Sequence, residues 1–327
     1  MAFPSSWRFL ALVAAVASLA LLALVAASTG DRAQPFQICV RNCELDVCHV
    51  NDPNPTAESL PRILRVFFWT CPQNCRYECM QAITSTAQAR GEPIQQYYGK
   101  WPFYRLLGIQ EPASVLFSIL NGYAHYVHWR PVRERVRRGY FMRPWYLAYI
   151  LVSCNTWVWS TVFHTRDFNW TEKMDYFSAG FSVLFMLLVA LVRTFRLSWP
   201  DRATVLRPLV AVFLLAFGAH VAYLSLWRFD YGYNMLANVL VGLLCNVVWI
   251  TWSFRNRHVH PAAWKPTLCV LLISAAMSLE LFDFPPLFGI LDAHSLWHLA
   301  TIRIVYIFYA FLLQDAEWDY KQLHAKH

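Results

Sequence analysis

From residue 113 to residue 313 the chain repeats one pattern: an apolar run of 16 to 20 residues, then a short polar break. The runs cover 113–129, 145–164, 174–192, 208–227, 233–252, 267–282 and 296–313. Each is close to the length a helix needs to cross the hydrocarbon core of a bilayer. The pattern predicts an all-α membrane protein built on a seven-transmembrane helix bundle. No internal repeat is evident along it. Residues 29–112 lack such runs and predict a small lumenal domain with short helices around "LPRILRVFFWTCPQNCRYECMQAI". The expected organisation is a signal peptide over 1–28, a Cys-rich lumenal domain over 29–112, the bundle over 113–314 and a cytosolic tail over 315–327. The signal peptide is expected because Arg8 precedes an Ala/Leu/Val run that ends in the small residues Ala26, Ala27 and Ser28.

Composition agrees with a membrane location. The 327 residues are 57% hydrophobic and only 15% charged, against roughly 25% charged in soluble domains. The formal charge of +8 does not indicate a nucleic-acid partner, because the basic residues fall in the breaks between runs. There they report topology. The first break holds Arg130, Arg133, Arg135, Arg137, Arg138 and Arg143, the third Arg193, Arg196, Arg202 and Arg207, and the fifth Arg255, Arg257 and Lys265. These breaks are expected on the cytosolic side. The alternate breaks carry carboxylates such as Asp230, Asp283 and Asp292 and are expected in the lumen with the cysteine domain. Asn169-Trp170-Thr171 is a glycosylation sequon in one of them, usable only on that side, whereas Asn54-Pro55-Thr56 is excluded by its proline.

Cys39, Cys43, Cys48, Cys71, Cys75 and Cys79 cluster in the polar domain, while Cys154, Cys245 and Cys269 lie in apolar runs. Behind a signal peptide, six clustered cysteines read as a disulfide framework, with zinc ligation through the CxxxC spacings as the rival. Spacing leaves the pairing open.

Five polar residues fall at one membrane level. Ser160 and His164 lie one turn apart near the end of the second run, Asp175 lies at the start of the third, and His294 and His298 stand at i and i+4 at the start of the seventh. Three convergent histidines suit zinc with a fourth position for water. Such a metal activates water and polarises an ester carbonyl. Asp175 would orient or deprotonate that water, and Ser160 would hydrogen-bond the aspartate, the water or the developing oxyanion. The plainer alternative is that residues at span ends simply meet lipid headgroups. A Ser160-His164-Asp175 triad is a further alternative, but no nucleophile elbow surrounds Ser160 and the His294/His298 pair would be idle. His125, His128, His258 and His260 are expected at the interface, and His220 as a packing residue.

The SxxxH of one helix, the Asp eleven residues later and the HxxxH of the last helix resemble the CREST superfamily of seven-span metal-dependent hydrolases. Within it, "CVRNCELDVC", "CPQNCRYECM", "WPFYRLLGIQEPASVLFSILN" and "WSTVFHTRDFNWTEKMDYFSAG" look like the post-GPI-attachment, or Per1-like, family over about residues 35–320. The resemblance implies removal of the sn-2 acyl ester from the phosphatidylinositol of GPI-anchored proteins in the Golgi or endoplasmic reticulum membrane. It implies zinc on His164, His294 and His298, with Ser160 and Asp175 as the remaining polar pair. GPI-anchored proteins and membrane lipids would be the partners, with the amino end and active site lumenal and the carboxyl end cytosolic. The functional alternatives are a ceramidase-like lipid amidase, and a seven-span receptor or chaperone in which the metal is structural.

Overall fold

The computed structural model describes residues 28–48 and 60–324. The expected signal peptide lies outside the described residues apart from Ser28. All regular structure among the described residues is helical. In the N-terminal segment these are α1 (Gln34–Asp46), α2 (Arg62–Val66) and α3 (Cys71–Ala89). Thr70 starts α3 with a capping box: its hydroxyl accepts from Gln73 N–H, and the Gln73 side chain accepts from Thr70 N–H.

α1 and α3 lie antiparallel, joined by disulfides Cys39–Cys79, Cys43–Cys75 and Cys48–Cys71. Cys39 and Cys43 lie one turn apart on α1 with Cys48 just beyond its end, and Cys71, Cys75 and Cys79 follow at one-turn spacing on α3, so the bridges form a ladder of three rungs. With every one of the six paired, none is a zinc ligand. Phe36, Cys79 and Tyr97 make a small core beneath the ladder, which is why so short a segment needs the bridges.

Seven longer helices follow, one for each apolar run, with a short α5 (Trp129–Arg135) after the first: α4 (Pro112–Tyr126), α6 (Arg143–Thr165), α7 (Asn169–Phe195), α8 (Ala203–Ala222), α9 (Tyr231–Asn256), α10 (Trp264–Phe282) and α11 (Ala293–His324). α4, α6, α7, α9, α10 and α11 pack in that order into a closed ring, since α11 returns to α4; α8 sits outside against α7. Among the described residues, four stretches are long and apolar enough to cross a membrane: α7, α8 with the π-helical turn that ends it at Trp227, α9, and Ala293–Leu323 of α11. The apolar part of α10 is shorter, Trp264–Leu279. α4 spans roughly 22 Å at 1.5 Å per residue and carries buried Ser118, Asn121 and His125. Polar side chains turned inward lower the hydropathy of a helix without changing its path. α8 is apolar on every side and none of its residues is buried, as expected of a helix facing lipid.

The main core lies around Met142, Tyr146, Val189, Trp249, Phe311 and Leu312. Here α7 and α11 are joined by buried ion pairs. Arg193 donates Nε–H and Nη2–H to Asp315 at 2.7 Å each, Asp319 pairs with Arg193 and Arg196, and His260 Nε2 lies 3.3 Å from Asp315. Arg193, read from sequence as a topological charge, is thus a core residue, and His260 is buried where an interfacial residue was expected. His125 is buried too, with Nδ1 2.9 Å from the Tyr309 hydroxyl. α11 runs through the tail boundary expected after residue 314.

Candidate metal centre

At the opposite end of the ring, the termini of α4, α6, α7 and α11 bring the site residues together. Asp292 caps α11: its Oδ1 accepts from Ser295 N–H (2.9 Å), and Ser295 Oγ accepts from Asp292 N–H (3.0 Å). That reciprocal cap fixes where the helix begins, and hence the direction in which His294 and His298 point.

The last turn of α6 leaves backbone carbonyls without intrahelical partners. Gln110 N–H and Glu111 N–H donate to two of them, on Thr165 (3.0 Å) and His164 (3.1 Å). The Glu111 side chain reaches the same residue: its Oε2 lies 2.6 Å from His164 Nδ1. Because a carboxylate only accepts, the His164 proton belongs on Nδ1 and its Nε2 presents a lone pair.

All three histidines turn Nε2 toward one point. His294 Nε2 is 3.3 Å from His164 Nε2 and 2.9 Å from His298 Nε2. Nitrogens bound tetrahedrally to zinc at about 2.0–2.1 Å stand roughly 3.3 Å apart, so the donor set fits that ion. His164 and His298 are buried and His294 half-buried, which leaves the cluster open on the His294 side.

Ser118 on α4 is fully buried, with its hydroxyl 3.0 Å from both Ser160 Oγ and His298 Nδ1. Asn121, one turn on, donates Nδ2–H to the His298 carbonyl (2.7 Å) and accepts from Thr301 Oγ1 (3.1 Å). The Trp157 ring stands edge-on to His298, 5.2 Å between centroids. Asp175, in the second turn of α7, interacts electrostatically with His164, His294, Glu111 and Lys100. Both His164 nitrogens face groups other than Ser160, so the arrangement is not that of a Ser-His-Asp triad.

Lys100 closes the outer side. Its Nζ lies 2.7 Å from Glu111 Oε1 and 2.8 Å from Asp167 Oδ2. Burial works to raise the Glu111 pKa, but Lys100 and His164 outweigh it and hold the carboxyl well below its usual range. Burial likewise works to lower the Lys100 pKa, and the Glu111 and Asp167 carboxylates outweigh it and hold the amine above its usual value. In the chain Asp167–Lys100–Glu111–His164, the two central members, Lys100 and Glu111, are therefore charged.

The five residues read from sequence thus come to one place. Glu111, Lys100, Asp167, Ser118 and Asn121 were missed. Ser118 and Asn121 had a signal, as polar residues within an apolar run; Glu111 had only its place just before Pro112. Of the remaining histidines, His220 is half-buried, with Nδ1 3.3 Å from the Tyr233 hydroxyl. In the sequon, Asn169 is exposed, whereas the Thr171 hydroxyl is buried and accepts from Phe168 N–H at 2.8 Å.

The profile of the Per1-like family matches residues 61–316. The chain is 43% identical over 300 residues to a Xenopus tropicalis protein named GPI-specific phospholipase A2-like PGAP3, covering 92% of this chain and 94% of that protein. It is 43% identical over 298 residues to the Schizosaccharomyces pombe Protein PER1 homolog, covering 90% and 89% of the two chains. It is 41% identical over 317 residues to the human GPI-specific phospholipase A2-like PGAP3, 97% of each. No solved structure matches. With a family profile over most of its length and relatives alike from end to end, the chain belongs to the Per1-like family.

Proposed function

We propose that the protein is a zinc-dependent lipid acyl hydrolase that removes the sn-2 acyl ester from the phosphatidylinositol of GPI-anchored proteins. The observation that carries this reading is the convergence of the His164, His294 and His298 Nε2 atoms beside Ser160 and Asp175. The names of the relatives supply the substrate class. All seven long helices cross the membrane in this reading, with the histidine end lumenal, the carboxyl end cytosolic, and the protein in the Golgi or endoplasmic reticulum. A GPI anchor is lumenal, so its ester meets the cluster at headgroup depth.

When bound, zinc supplies Lewis-acid chemistry: it polarises the ester carbonyl and makes water acidic enough to attack at neutral pH. The protein's own groups do the rest. Asp175 accepts a proton from the attacking water and returns it to the departing alkoxide. Ser160 donates a hydrogen bond toward the charge that develops on the carbonyl oxygen. Glu111 and Ser118 hold two of the imidazoles in place through Nδ1.

Mass spectrometry of GPI-anchor lipids tests this in cells lacking the activity, rescued with the natural chain or with His298→Ala at equal abundance. Loss of the sn-2 chain with the natural protein alone is expected. Equal rescue by His298→Ala would overturn the zinc mechanism. Rescue by neither, with metal binding intact, would favour the receptor or chaperone reading. Turnover of ceramide in preference to diacyl-GPI would favour the amidase.

A further inference from the structure

The break between α4 and α6, at the end of the bundle away from the histidines, folds around a cavity of about 750 Å³. Its wall carries Arg130, Arg133, Arg137, Arg138 and Arg143 against one carboxylate, Glu134. Arg130 already occupies that carboxylate, Nε to Oε1 at 2.8 Å. Arg143 donates Nη2–H to the Arg133 carbonyl (3.0 Å), and its Nε is buried with no hydrogen-bond partner among the described residues. Arg137 lies over the Tyr320 ring at 4.9 Å. Four guanidiniums thus surround one cavity and have no carboxylate partner among the described residues.

Like charges held together repel unless an anion sits among them. Guanidinium forks match phosphate oxygens in pairs, and a phosphomonoester carries about −1.5 to −2 charge at neutral pH. A headgroup with a single diester charge satisfies one fork; a phosphorylated ring satisfies several. We propose that this cavity binds a phosphomonoester-bearing polyanion of the inositol-phosphate class. Two sources share that chemistry, a phosphoinositide headgroup in the adjacent leaflet and a soluble inositol phosphate. Arg143 opens α6 and His164 stands near its end, roughly 32 Å away at 1.5 Å per residue, about the thickness of the hydrocarbon core. The cavity therefore lies at headgroup level on the far face, where basic pockets at helix ends take such lipids.

The test uses the purified full chain in nanodiscs of phosphatidylcholine alone, with phosphatidylinositol phosphate, or with phosphatidylserine at equal total charge. A fourth arm adds soluble inositol trisphosphate to phosphatidylcholine discs. Binding is read by native mass spectrometry and by the shift in thermal unfolding. The phosphoinositide or the trisphosphate is expected to bind, with phosphatidylserine far weaker; the tighter of the first two names the source. Arg133→Gln and Arg137→Gln should each weaken binding roughly tenfold, and the corresponding lysine variants less, because charge survives without the fork. Arg133 and Arg137 are both exposed, so their variants should fold, which their melting in phosphatidylcholine checks. Equal binding of phosphatidylserine, binding unchanged in the glutamine variants, or no binding in any arm would overturn the proposal.

Discussion

Glu111 holds His164 twice: its backbone N–H donates to the His164 carbonyl at 3.1 Å, and its carboxylate accepts from His164 Nδ1 at 2.6 Å. One residue thereby ends helix α6 and orients the ring that α6 delivers. Outer partners of this kind are worth about 10–100-fold in metal affinity. Glu111→Ala is expected to weaken zinc by that factor in a chelator competition. Glu111→Gln, whose amide oxygen still accepts from Nδ1, should fall between. Equal affinity for all three would remove Glu111 from the site.

Lys100 is 27% exposed at its side chain and faces two carboxylates. Lys100→Met leaves Glu111 buried without its cation. Breaking a fully buried pair costs about 3–5 kcal/mol; with water reaching Lys100, about 2 kcal/mol is expected. Thermal unfolding of the zinc-loaded protein measures it, and an unchanged melt would make the pair energetically idle.

Ser118 and Ser160 separate positioning from chemistry. Ser118→Ala removes a buried partner of His298, which costs about 1–3 kcal/mol, and should reduce bound zinc and turnover together. Ser160→Ala should reduce turnover with zinc retained. If both variants lose zinc equally, Ser160 acts on the histidines and not on the ester.

The bridges are expected to map by peptide mass spectrometry as Cys39–Cys79, Cys43–Cys75 and Cys48–Cys71. Replacing Cys43 and Cys75 by serine should destabilise the bridged helices α1 and α3 by about 2–5 kcal/mol. Protease sensitivity of residues 34–89 reads this directly; resistance equal to the natural chain would show that the middle rung is dispensable.

Asp315 receives Arg193, Tyr146 and His260 in the core. Asp315→Ala removes the bidentate partner of buried Arg193 and should cost about 3–5 kcal/mol, lowering the yield of folded protein while zinc per folded chain stays unchanged. Loss of zinc from the folded fraction would instead show that the two ends of the bundle communicate.

The helices and the five polar residues were legible because hydropathy period and i, i+4 spacing are local properties. The three-rung ladder was legible as a framework but not as a pairing, since several pairings satisfy the same spacings. Lys100 and Asp167 were not legible at all: a lysine and an aspartate in polar loops look solvated until folding sets them 2.8 Å apart. His125 and His260 misled for the reverse reason. His125 lies near the end of an apolar run and His260 in a basic break, yet Tyr309 and Asp315 from α11 cover them. Burial supplied from far along the chain leaves no trace in neighbouring residues.

His164 and His294 are 130 positions apart in sequence and 3.3 Å apart at Nε2. His294 and His298 ride one rigid helix, so an ion shared with His164 would act as a rivet between the second and the last long helices. It would clamp the ring of helices shut at the rim that carries the histidines. The same three side chains would then serve as a fastener whose release lets the rim spread, and the mechanical strength of the bundle under a pulling force would rise and fall with metal supply.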